Sequence, residues 1–236
     1  MQEERSVQSE VSGYISNLLR QHFGKGPTSV YVTIKRPYIT IHFRGFVSPM
    51  EKILLDKGEW KRVLETRGFM FNALKPEILN EILNFTQLEF TELYADWNLT
   101  HKTGMFIGVM ANEATPTAYE WPEGAHQESF HALIEQVNEA AERKPDRIET
   151  FWLSNRTLLV KRSGILVGIE KALIEDGYVE ILKLTKRPLE QQLLKDAPLS
   201  DALNREIIEA FMDWNFDQDL GYIVFVLKSE IRQSKK

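Results

Sequence analysis

The chain has 236 residues, 43% of them hydrophobic, with 29 Lys+Arg against 34 Asp+Glu, a formal charge of −5 and no cysteine. A disulfide framework, a thiolate nucleophile and a cysteine–zinc site are therefore excluded, and the mild acidity argues against a dedicated nucleic-acid binder, whose contact surface carries a basic excess. The polar start Met1-Gln2-Glu3-Glu4-Arg5 and the lack of any apolar run of membrane-spanning length lead us to expect a soluble, cytoplasmic protein that reaches a membrane only through a partner.

In chain order, Val7, Val11, Tyr14, Ile15, Leu18 and Leu19 recur at spacings of three and four and predict a helix over 7–23 with one apolar face. Gly24-Lys25-Gly26-Pro27 stops it; the lysine between glycines lacks the spacing of a phosphate-binding loop. Residues 29–36 and 38–46, split at Pro37, alternate apolar and polar side chains and predict a hairpin with one buried and one wet face, His42 on the wet one. Ser48-Pro49-Met50-Glu51 is a capped helix start. That helix is expected to break near Gly58, an apolar face continues from Trp60, and Pro76 is read as starting another helix toward a strand ending at Asp96-Trp97-Asn98. Thr103-Gly104 closes the turn, and a buried strand follows to Met110.

Residues 113–126, with two prolines and a glycine, read as a linker stapled by Tyr119 and Trp121. The same order of elements then returns. Residues 89–109 and 206–226 share seven of 21 positions without a gap, keeping Asp96-Trp97-Asn98 and Gly104 as Asp213-Trp214-Asn215 and Gly221, and Met50–Gly58 matches Ile169–Gly177 at four of nine. This is a duplication. We expect an α+β fold of two tandem repeats, 1–112 and 127–230, each a small, mostly antiparallel sheet covered by helices, with a frayed tail at 231–236.

Three sets of residues invite chemistry. Asp96, Trp97, Asn98 and Gly104, with Asp213, Trp214, Asn215 and Gly221, could be a catalytic or cation-binding triplet written twice; a core tryptophan with Asp and Asn tying the turn explains the duplication better. On that reading Asp96 and Asp213 accept backbone amides in residues 100–104 and 217–221. Tyr31, Arg36 and Tyr38, with Lys35 and Arg44, could form a nucleic-acid or small-ligand face, against the alternative of a strand edge blunted by charge. His22, His42, His101, His126 and His131 make no metal-binding spacing, and no nucleophile elbow or dinucleotide fingerprint is present. We expect no enzyme, no cofactor and no metal.

Taken together, the first helix with its Gly24-Lys25-Gly26-Pro27 stop, the paired strands, the Ser48-Pro49-Met50-Glu51 start and the Asp96/Asn98/Gly104 hairpin resemble the MpsC-like family, bacterial domains named for a component of a sodium-translocating, membrane-potential-generating system. The resemblance covers about residues 8–110 and 128–228. It implies a non-catalytic accessory of a membrane cation or inorganic-carbon uptake system, with an integral membrane transporter as partner, and it supplies no catalytic residues. Val167-Gly168 stand where the first copy has Ser48-Pro49, so the two repeats are not expected to be equivalent.

Overall fold

The computed structural model describes residues 2–111 and 120–229. Two compact units divide the chain, Met1–Thr117 and Ala118–Lys236. The first runs α1 (Gln2–Phe23), β1 (Ser29–Lys35), β2 (Tyr38–Arg44), α2 (Pro49–Asp56), α3 (Trp60–Thr86), β3 (Phe90–Asn98) and β4 (Thr103–Met110). The second runs α4 (Gln127–Ala141), β5 (Arg147–Ser154), β6 (Thr157–Ser163), α5 (Gly168–Glu175), α6 (Val179–Asp196), α7 (Leu199–Ala202), β7 (Ile207–Asn215) and β8 (Leu220–Leu227). Each unit folds into a four-stranded antiparallel sheet, ordered β1-β2-β4-β3 and β5-β6-β8-β7. Trp97 stands opposite Gly104 and Trp214 opposite Gly221, so the duplicated hairpins share one register.

Local chemistry explains the helices. Ser48 Oγ accepts from Glu51 N at 3.3 Å while a Glu51 carboxylate oxygen accepts from Ser48 N at 2.7 Å, a reciprocal cap on α2. In α5 only half of it survives: Glu170 accepts from Val167 N at 3.1 Å, and valine has no oxygen to return the bond. The expected restart at Pro76 is not observed, because α3 runs 27 residues straight through it. A proline inside a helix costs about 3 kcal/mol; here Phe71, Leu74, Ile78 and Ile82 are buried along one stripe on both sides of it, and that burial outweighs the missing bond. Pro188 lies within α6 in the same way.

The glycine of the repeated hairpin lies in a strand, not at the end of the turn. A Cβ on Gly104 would stand 2.4 Å from the Phe43 ring and 2.9 Å from Trp97; on Gly221 it would meet Ile165 at 2.8 Å and Arg162 Nη2 at 2.9 Å. The glycine is there so that a large side chain can cross it. The predicted wet face of β2 is corrected as well: Tyr38 and Thr40 are buried and His42 half-buried. Their cross-strand partners on β4 are Val109, Ile107 and Met105, which make that face apolar. Trp121, placed in the expected linker, packs against Phe130 and Trp152 with ring centroids 5.7 and 5.8 Å away. Tyr119 and the tail 231–236 lie outside the described residues.

Candidate functional site

The two halves keep their backbone and change what fills one corner of it. In the first repeat, Trp97 sits in an aromatic cluster with Phe43 at 5.5 Å, Phe106 at 5.6 Å, Phe46 at 6.0 Å and Phe23 at 6.3 Å, and Phe71 closes on Phe106 at 5.1 Å. One cation is set into this cluster. Arg67, 0% exposed, pairs with Glu51 through two contacts of 2.7 and 3.0 Å, donates to the Phe46 carbonyl at 3.0 Å, and lies 4.8 and 4.9 Å from the Phe46 and Trp97 ring centres. Burial pushes the Glu51 carboxyl up, but Arg67 and the Ser48 bonds more than offset this and hold it below the usual carboxylate range. The pair is closed by aromatic faces and a bidentate fork, with Arg67 Nη1 left without a hydrogen-bond acceptor among the described residues.

In the second repeat, the positions 119 residues on from Leu19, Phe23, Phe43, Arg67 and Phe71 are Asn138, Glu142, Arg162, Lys186 and Glu190. Register supports the correspondence: Phe43 faces Gly104 and Arg162 faces Gly221. Three phenylalanines have become two carboxylates and a guanidinium, still in the interior. Arg162 Nη2 lies 2.8 Å from Glu190 Oε2, and its Nη1 donates to Asn138 Oδ1. Lys186 Nζ contacts Glu142, reaches Glu170 at 2.9 Å and Glu190 at 3.7 Å, and stands 5.7 Å from the Trp214 ring centre. Trp214 Nε1 donates to Glu190 at 3.1 Å. The side chain of Glu190 is 0% exposed and that of Glu142 4%.

The charges do not balance within this chamber. Glu142, Glu170 and Glu190 face Lys186 and Arg162, three carboxylates against two cations. Burial and the neighbouring Glu190 push the Glu142 carboxyl up to about 8, although Lys186 pulls the other way. Burial also works against an ionised Glu190, but Arg162 and Lys186 overcome it and hold that carboxyl below its ordinary range. Two carboxyls in one enclosed place with their affinities driven apart is the arrangement expected of a site that holds a proton. No group of three His, Cys, Asp or Glu is placed to hold a metal ion among the described residues.

Of the residues singled out from the sequence, Trp97, Trp214 and Gly221 border these corners, and the repeated aspartates and asparagines bond elsewhere. Asp96 and Asp213 each accept the amide of the tryptophan that follows, Trp97 N at 2.7 Å and Trp214 N at 2.9 Å. The asparagines bond into the turn: Asn98 Oδ1 accepts His101 N at 3.0 Å and Asn215 Oδ1 accepts Gln218 N at 3.1 Å. Asp213 also takes Lys183 Nζ at 2.7 Å, with Arg187 Nη2 at 3.9 Å; burial opposes its charge, and these cations hold its carboxyl below the ordinary range. Tyr31, Arg36 and Tyr38 are not brought together as one face. Tyr31 and Arg36 are exposed, and Tyr38 is buried in the central strand β2. The charged chamber was missed. Its signal is a comparison of core positions at the repeat offset, where phenylalanine turns into glutamate and arginine.

Two copies of one helix–hairpin–helices–hairpin unit define a tandem α+β repeat protein. The chain belongs to the MpsC family, described as Na+-translocating membrane potential-generating system (MpsC), whose model matches residues 3–112 and again 124–229. No curated protein and no solved structure gives a significant match. Among the described residues no helix is long and apolar enough to cross a membrane.

Proposed function

We propose that the protein is a non-catalytic accessory of a Na+-dependent membrane-potential system, held at the cytoplasmic face by contacts with an integral membrane partner. The observation that carries this reading is a family named for a membrane system matching, in two copies, a chain with no spanning helix among its described residues. Membrane residence then comes from protein contact, and two similar units give two linked contacts whose avidity exceeds either alone. Each unit offers an apolar outer surface on corresponding helices: Met50, Ile53 and Phe69 on α2 and α3, and Ile169, Ile181 and Leu189 on α5 and α6. Phe69 is 79% exposed and Ile169 69%, unusual for large apolar side chains. Tyr38, read from the sequence as part of a binding face, is buried in the sheet, and Trp121 of the expected linker packs on aromatic neighbours. The non-catalytic part of the reading rests on the enclosure of Glu142 and Glu190, since an acid–base pair must come within hydrogen-bond reach of a substrate. Uptake of a cation or of inorganic carbon is the activity this accessory serves.

Affinity capture from native membranes with the full chain as bait tests the proposal. Recovery of a polytopic membrane protein that is lost with Phe69→Glu plus Ile169→Glu supports it. Recovery of only nucleic acid, released steeply by salt, or of soluble enzymes overturns it.

A further inference from the structure

We propose that the second repeat contains a buried proton-binding site, in which Glu142 and Glu190 share one proton inside the cage formed by Lys186, Arg162 and Glu170, and that this proton holds the end of α4 against α6. The inference is independent of the docking reading.

Geometry carries it. The two enclosed carboxyl groups converge on one ammonium: Lys186 Nζ contacts Glu142 and stands 3.7 Å from Glu190 Oε1, which brings the carboxyls together. Both are acceptors when ionised, so the contact is favourable only with a proton between them. Beyond the Lys186 contact, the Glu142 oxygens find no hydrogen-bond donor of suitable geometry among the described residues. Glu142 also caps the C-terminus of α4, where the negative end of the helix dipole disfavours a carboxylate. The surrounding groups are committed to other partners. From α6, Lys186 is divided among Glu142, Glu170 and Glu190, while Lys183 and Arg187 turn to Asp213 on β7. From β6, Arg162 is taken by Glu190 and by Asn138 of α4. From α5, Glu170 adds a third carboxylate and Lys171 turns to Asp219 at 3.5 Å. On the Glu142 side, Arg143 pairs with Asp146 and Lys144 with Glu135, and Asp201 of α7 is exposed. Glu142 therefore has only a share of Lys186, and burial with Glu190 beside it raises its affinity for a proton.

The sign follows by linkage. A carboxyl raised in the folded state contributes stability that is complete below its unfolded value and is lost as pH rises through the folded one, about 8. Releasing the proton should loosen the junction of α4 with α6 while the first repeat, whose Arg67–Glu51 pair is already ionised, stays as it is.

Side-chain carboxyl 13C chemical shifts of the full chain, followed against pH by NMR, read the site directly. One glutamate resonance should titrate near pH 8, and it should vanish in Glu142→Gln, a variant of nearly the same shape. In Glu190→Gln the carboxyl neighbour is lost and Lys186 remains, so the same resonance should titrate at least one pH unit lower. If every glutamate titrates below about pH 6, or if the high midpoint survives Glu142→Gln, the site does not exist. Should Glu142→Gln fail to fold, the downward movement in Glu190→Gln decides alone: its occurrence supports the shared proton and an unmoved midpoint overturns it.

Discussion

The corner under Trp97 and the corner under Trp214 are one piece of architecture filled in two ways. Around Trp97 stand five phenylalanines and one buried Arg67–Glu51 pair; around Trp214 the same stations hold Glu142, Arg162, Lys186 and Glu190. The backbone register, the glycine opposite the tryptophan and the glutamate at the start of the short helix are unchanged. Enclosing ions costs more than enclosing rings, and replacing a buried ionic group by apolar side chains is often neutral or stabilising. The fold therefore does not require the charges of the second repeat. What the difference teaches is that one backbone register accepts either an aromatic corner or a charged one.

The largest effects should come from removing one member of the charged set. Glu190→Phe leaves Arg162 buried without its carboxylate and should lower the stability of the second repeat by about 3–5 kcal/mol, seen as a drop in denaturant midpoint. Changing Glu142, Arg162 and Glu190 together to phenylalanine copies the first repeat and should behave in the opposite sense, leaving stability equal or up to about 4 kcal/mol higher. A triple variant less stable than Glu190→Phe alone would break the comparison.

Next in size are the glycines. Gly104→Ala drives a methyl into the rigid Phe43 ring and should cost about 1–3 kcal/mol. Gly221→Ala should cost less, because the Arg162 end and the Ile165 terminus can move aside. Equal losses in thermal unfolding would mean that the two corners are packed alike.

How far the sequence reveals this varies by element. The duplicated hairpin, the Ser48–Glu51 cap and the two pairs of strands in each repeat were legible, because turn residues, caps and alternation are local signals. The run of α3 through Pro76 was not, because a buried stripe overrode a local breaker. The β2 face that carries His42 was read as wet, since alternation along β2 carries no information about Met105, Ile107 and Val109 on the neighbouring strand. Asp and Asn were both read as tying the turn; the asparagines do so, while each aspartate takes the amide of the tryptophan after it, a division that spacing alone cannot assign. The charged chamber is assembled by α4, β6, α5 and α6, which are distant in sequence, so each charge taken alone reads as a solvated residue.

The smallest effects lie at the caps. Ser48→Ala should cost about 1 kcal/mol, and Val167→Ser, which restores the oxygen missing from α5, should return about 0.5–1 kcal/mol to the second repeat. Hydrogen exchange at the first turns of α2 and α5 measures both.

The most direct measurement of the central claim is amide hydrogen exchange by mass spectrometry between pH 6 and pH 9, corrected for intrinsic rates and read separately for α1 and α3 and for α4 and α6. Glu51 is held low, so its contribution is lost only as pH falls through the acid range, and the first repeat should keep constant protection over this window. In the second repeat, protection of α4 and α6 should fall as pH rises toward 8, by up to about tenfold per pH unit, and level off above it. Protection that is flat in both repeats, or falls equally in both, would contradict the account.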